Sequence, residues 1–168
     1  DTRPPEVTVS TPATGAVLTG GTSATVAFTS TDNVGVSSHS LAFAADGSTF
    51  DTPLATGLPG SITSFDVTLP NQTTSTGIIR VQAADEAGNI GTGLSGVFTI
   101  NADIVPPTVT VLSPGTTFKK VKRGEPINVT WTSMDNGTVV RHDIALSTDN
   151  GATFGTILAT GLPGAAQS

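Results

Sequence analysis

The chain has no cysteine and no tyrosine, and only one tryptophan and one methionine in 168 residues. Without cysteine there is neither a disulfide framework nor a thiolate metal site, so stability must come from packing and backbone pairing. Charge is scarce as well, at 12% of residues, and the balance of seven basic to thirteen acidic residues leaves a net charge of −6. Phosphate recognition needs a clustered basic face, so no nucleic-acid partner is expected. The single basic run, Lys119, Lys120, Lys122 and Arg123, reads as a solvated strand or hairpin. No apolar run is long enough for a membrane span and no signal peptide is readable, so no membrane insertion is expected. The opening "DTRPPEVTV" reads as the interior of a longer polypeptide.

What the chain does hold is 19 glycines, 11 prolines and abundant Thr, Ser and Val. Helix-forming Ala/Glu/Lys/Leu runs are missing, while Val, Ile, Thr and Phe suit a pleated surface. The composition predicts an all-β protein.

The chain also repeats itself. "PPEVTVSTP" at residues 4–12 matches "PPTVTVLSP" at 106–114, an offset of 102. "VAFTSTDN" at 26–33 matches "VTWTSMDN" at 129–136, an offset of 103. "DGSTF" at 46–50 faces "DNGATF" at 149–154, and "LATGLPG" at 54–60 returns unchanged at 158–164, an offset of 104. Slips confined to loops are how homologous β domains drift. The first copy is predicted to span residues 1–102 as a complete domain. The second, residues 103–168, lacks counterparts of residues 65–101.

Alternation of apolar and polar residues predicts strands at 6–10, 23–29, 38–44, 52–56, 64–69, 77–84 and 93–100, lettered A to G. Val7, Val9, Val26, Phe28, Leu41, Phe43, Phe65, Val67, Leu69, Ile79, Val81, Phe98 and Ile100 are placed inward. Seven short strands between Gly/Pro/Asn/Asp turns indicate an immunoglobulin-like sandwich. The predicted fold is tandem immunoglobulin-like β-sandwiches, the second incomplete with strands A to D only.

The segments "PPEVTVSTP", "TDNVGV", "VQAADEAGNIG" and "FTI" resemble the bacterial Ig-like repeats, of fibronectin III or Big type, found in secreted enzymes and cell-surface adhesins. The stretches "GEPINVTWTS", "LSTDNGATF" and "ATGLPG" resemble modules that trail secreted bacterial metalloproteases. The resemblance covers the whole chain and implies a secreted or cell-surface bacterial protein. It is specific for fold and poor for function, because such modules serve as spacers, stalks and binders.

Three groups of residues invite a chemical reading. In an immunoglobulin-like sandwich the B–C and F–G loops share an end with the entry to strand A. Asp1, Asp32, Asn33, Asp85, Glu86 and Asn89 therefore fall in one neighbourhood, with Asp103, Asp135 and Asn136 as the matching set in the second copy. Such oxygens suit Ca²⁺, which takes six to eight. The same residues also make good turns by themselves, and both readings stay open. "STDNGATF" at 147–154 resembles the Asp-box turn of sialidase propellers, in which the Asp holds a hairpin and does no chemistry. His39 and His142 recur at the start of strand C, in phase with inward Leu41 and Ile144, and read as core-edge histidines bonded to loop carbonyls. No nucleophile–base set or phosphate loop is readable, so no catalysis is expected.

The second copy should leave Val109, Val111, Val129, Trp131, Ile144 and Leu146 facing water in place of a second sheet. Its expected partners are neighbouring Ig-like repeats of the same chain or strands of a second chain. The expected function is non-catalytic: a stalk, spacer, adhesin or filament segment of an extracellular protein. Two alternatives stand beside it, an accessory substrate- or carbohydrate-binding module of a secreted hydrolase, and a fibre subunit completed by a neighbour's strands. The absence of tyrosine, with the one tryptophan in phase with the core, argues against an aromatic sugar platform.

Overall fold

A computed structural model describes residues 1–115, 120, 122 and 124–168, all of them in strands, turns or irregular segments. Of the basic run, Lys119 and Arg123 lie outside the described residues, while Lys120 and Lys122 are exposed. The chain divides into two compact units, Asp1–Asp103 and Ile104–Ser168.

The first unit contains β1 (Glu6–Thr11), β2 (Val17–Thr19), β3 (Ser23–Thr31), β4 (Val36–Ala44), β5 (Thr52–Pro59), β6 (Ser64–Thr68), β7 (Thr74–Asp85), β8 (Ile90–Leu94) and β9 (Phe98–Asn101). One sheet runs β1-β3-β6 and the other β2-β9-β7-β4-β5, with β8 also paired to β7. This is an immunoglobulin-like β-sandwich. Its core of Val26, Phe28, Leu41, Phe43, Val67, Leu69, Ile79, Val81, Phe98 and Ile100 comes from alternate positions on both sheets, as a period of two requires.

The strands differ from the expected pattern in three ways. The seventh is broken into β8 and β9, because Ser95 turns inward, accepting from the Ile79 N–H and donating to the Gly96 carbonyl. The short β2, parallel to β9, carries too little alternation to be read from sequence. The fourth strand, β5, runs on to Pro59 where an end at Thr56 was expected, and it pairs with β4 and so belongs to the second sheet. Phe65, placed inward by alternation, is exposed.

The repeated heptapeptide is explained by β5. At Gly60 a side-chain carbon would collide with the Val36 carbonyl, and at Gly164 with that of Val139. No other residue fits where the two backbones approach so closely. Gly57 and Gly161, at φ +66° and +67°, make the kink beside which the strand register shifts.

The second unit contains β10 (Thr108–Ser113), β11 (Thr130–Met134), β12 (Arg141–Leu146) and β13 (Thr156–Pro163), paired β10-β11 and β12-β13. Val109 and Val111 are 55% and 56% exposed, Leu146 43%, and Val129 and Ile144 half-buried. Trp131 departs from the expectation that it faces water, being only 4% exposed. Its indole lies edge-on to the His142 ring, centroids 5.3 Å apart, and its backbone N–H donates to the Gln167 carbonyl at 3.1 Å.

Candidate functional site

The turn after β3 and the turn after β7 lie at one end of the first unit, where the chain enters β1. Asp32 closes the first turn by accepting the Val34 and Gly35 N–H groups on Oδ2, both at 3.0 Å. Asp85 ends β7 and is held by Asn89, whose backbone N–H reaches Oδ1 at 2.8 Å and whose amide nitrogen reaches Oδ2 at 2.7 Å. Asn89 Nδ2 also contacts the Asp1 carbonyl at 3.4 Å, tying the entering chain to this turn. Carboxylate oxygens of Asp1, Asp32 and Asp85 thus come within 4.8 Å of one another.

Both turn carboxyls are held below the usual carboxylate range. For Asp32 the chief cause is the N–H of Gly35, then that of Val34; for Asp85 it is the Asn89 side chain. Hydrogen bonds to the charged form favour it. Asp32 Oδ1 is buried without a hydrogen-bond partner among the described residues. A hard cation fits these residues: with oxygens at ~2.4 Å from Ca²⁺, no two ligands lie more than about 4.8 Å apart. Asp1, Asp32 and Asp85 would hold it, and a divalent charge would offset the three clustered negative ones.

The other expected ligands have different places. Glu86 is exposed and lines the recess shared with Asp1 and Asp85, and Asn33 is exposed beside Asp32. Asn89 positions Asp85 through its nitrogen. Asp103 ends the first unit, exchanging backbone bonds with the Asn71 side chain at 2.7 and 3.0 Å. In the second unit Asp135 repeats the Asp32 turn, accepting from Gly137 N–H at 3.3 Å, and its Oδ1 is again buried without a hydrogen-bond partner among the described residues. Asn136 follows it, exposed.

Sequence reasoning anticipated a carbonyl partner for each histidine and missed the serine. His39 is 2% exposed, with Nδ1 3.0 Å from the Pro59 carbonyl and Nε2 2.8 Å from Ser30 Oγ. A carbonyl only accepts, so Nδ1 donates to it, and Nε2 pairs with the serine hydroxyl. His142 repeats this with the Pro163 carbonyl at 3.2 Å and Ser133 Oγ at 2.9 Å. The signal was present in "TST" and "TSM", where a serine precedes each Asp by two residues. Asp149 accepts from the Ser147 and Thr153 hydroxyls, both at 2.6 Å, and from the Thr153 N–H at 2.8 Å. These bonds lower its pKa to about 2, with the Ser147 hydroxyl the largest cause.

No protein-family profile matches this chain, and no curated protein matches it significantly. A solved structure described as "Structures of Clostridium thermocellum CbhA fibronectin(III)-like modules" is similar, at 18% identity over 92% of this chain and 73% of that chain, with a TM-score of 0.42. The fold assignment rests on the strand order and registers above.

Proposed function

We propose that the chain is a non-catalytic, load-bearing segment of an extracellular bacterial multidomain protein. The observation that carries this reading is the pairing of β2 with β9. The strands run parallel, matching Val17 to Thr99, Leu18 to Ile100 and Thr19 to Asn101, near the entry and exit of the first unit. Flanking bonds extend the ladder: Gly15 N–H to the Val97 carbonyl, Thr99 N–H to Ala16 and Gly20 N–H to Asn101, each 2.8 Å. Tension applied through the two ends of the unit loads parallel strands along their length, so the bonds resist together and do not unzip singly. A cation on Asp1, Asp32 and Asp85 would add a tie between the entering chain and the turns it meets.

The polar groups that catalysis would need serve this framework. Both histidines have both ring nitrogens bonded, and Asp46 and Asp149 close turns. Pulling the full chain through its ends in a force spectrometer tests the proposal. The first unit should give one discrete unfolding peak, and Thr99→Pro, which removes the N–H that Ala16 accepts, should at least halve that force. An unfolding force unchanged by the substitution refutes it.

A further inference from the structure

We infer that the outer face of the second sheet of the first unit binds an acidic polysaccharide, with Arg80 receiving a carboxylate of the sugar chain. The inference does not depend on the load-bearing reading and uses no residue of the second unit.

Alternation along β7 sets the face. Buried Ile79, Val81 and Ala83 alternate with half-buried Arg80, Gln82 and Ala84, which therefore point away from the core. Pairing with β4 and β8 places each of the three in a row across the sheet: Ala42, Arg80 and Leu94, then Ser40, Gln82 and Thr92, then Ser38, Ala84 and Ile90. Leu94 and Ile90, 51% and 58% exposed, make an apolar margin along β8. Ser38, Ser40, Gln82 and Ile90 line one shallow recess beside it.

Charge picks out one point on this face. Residues 1–103 hold two basic residues, Arg3 and Arg80, against nine acidic ones. Strands β4, β5 and β8 carry no carboxylate, and the one on β7, Asp85, is buried and bonded to Asn89. Arg80 therefore has no counter-ion here. Among the described residues it makes no ion pair, no group accepts from its guanidinium, and its Nε is buried without a partner. Its Cζ lies 4.6 Å from the centroid of the Phe50 ring. Stacking uses the flat face of the guanidinium and leaves the in-plane terminal donors, whose fork matches a carboxylate.

The neighbouring row supplies the rest of the ligand's chemistry. The side chains of Ser40, Gln82 and Thr92 have no hydrogen-bond partner among the described residues. Hydroxyl and amide groups both donate and accept, as sugar hydroxyls do. Two residues along a strand span about 7 Å, so the ligand must carry a carboxylate about that far from the hydroxyl that meets Gln82. An acidic peptide fits less well, because the backbone of β7 is already paired to β4 on one side and β8 on the other and no strand can be added there. A polyuronate offers hydroxyls and a carboxylate on every repeating unit. Since Arg80 lies over Phe50, recognition rests on charge and hydrogen bonds and uses no aromatic platform.

The test titrates the full chain with polygalacturonate oligomers at low salt and follows amide resonances by NMR. Chelator is present so that no divalent cation bridges the polymer to Asp32 and Asp85. Resonances of Ser40, Arg80, Gln82 and Thr92 should move together, and the affinity should fall as salt is raised. Arg80→Gln should weaken binding at least tenfold. Gln82→Ala, which keeps the charge, should weaken it by a smaller factor and tests the face independently of any folding defect in the first variant. Methyl-esterified oligomers, whose carboxylates are masked, should bind the parent chain no better than they bind Arg80→Gln. Resonances of this face that do not move, or an affinity that neither substitution lowers, overturn the inference. So does poly-L-glutamate binding as tightly as the polyuronate, which would make the face a site for acidic peptides.

Discussion

Val26 and Val129 offer a comparison of one residue type at one register position in two environments. Val26 is fully buried, enclosed by strands of both sheets, while Val129 is half-buried. Val26→Ala removes two methyl groups, about 1.6 kcal/mol of transfer at ~0.8 each, and leaves a cavity that the packed core cannot wholly close, for about 2 kcal/mol or more. At ~4–8 °C per kcal/mol for a domain of this size, the first unit should melt about 10 °C lower. Val129→Ala removes the same groups where half the surface already meets water and solvent can enter the gap, so its cost should stay below about 1 kcal/mol. Calorimetry of the full chain, with local exchange at β3 and β11 to assign each transition, measures both. Tryptophan emission offers an independent check, because the only tryptophan, Trp131, lies in the second unit. Equal penalties at the two positions would refute the reasoning, since the second unit would then have a closed core.

Three further outcomes follow from single sites. Gly60→Ala and Gly164→Ala should each disrupt the pairing of β5 and β13 and cost several times the ~1 kcal/mol expected for Gly88→Ala, where φ is +87° but no atom lies within 4 Å of the added carbon; similar melting temperatures for all three would refute the close-approach argument. Asp149 has a folded pKa lowered to about 2 from 3.8, so its contribution is present above 3.8 and lost as pH falls through about 2; the Thr153 amide resonance should titrate near the lower value, and a midpoint near 3.8 would refute the bonding. Millimolar Ca²⁺ should raise the melting temperature of the first unit over that in chelator, and Asp32→Asn should abolish the difference; no shift in the parent chain would remove the cation proposal.

Much of the sandwich was legible because strands with a buried face advertise it by alternation. Val26 and Phe28, Leu41 and Phe43, and Ile79 and Val81 all lie where that period put them. Phe65 shows the limit, since its strand alternates correctly but its position falls at a margin of the sheet. The partner of β5 was not legible, because nothing in "LATGLPG" says which sheet it joins; that depends on Gly60 lying against the Val36 backbone. For the acidic cluster, sequence supplied the turn residues and topology supplied their meeting. It did not distinguish Asp85, whose oxygens face Asp1 and Asp32, from Glu86 one residue later on the exposed side.

The recurrence of the Ser–His–carbonyl bridge bears on how a unit with an open core holds together. In the first unit Ser30 stands on β3 in one sheet, His39 on β4 in the other, and the Pro59 carbonyl on β5, so the ring ties the two sheets across the core edge. That tie adds to a closed apolar interior. In the second unit the apolar interior is open, yet Ser133 on β11 and the Pro163 carbonyl on β13 hold His142 in the same way, and Trp131 covers it where the first unit has Phe28. Buried hydrogen bonds of this kind are directional, whereas apolar contacts are not, and so they fix the spacing of the β10-β11 and β12-β13 pairs. The indole packs edge-on against the His142 ring and is buried there, whereas Val109, Val111 and Leu146 are exposed.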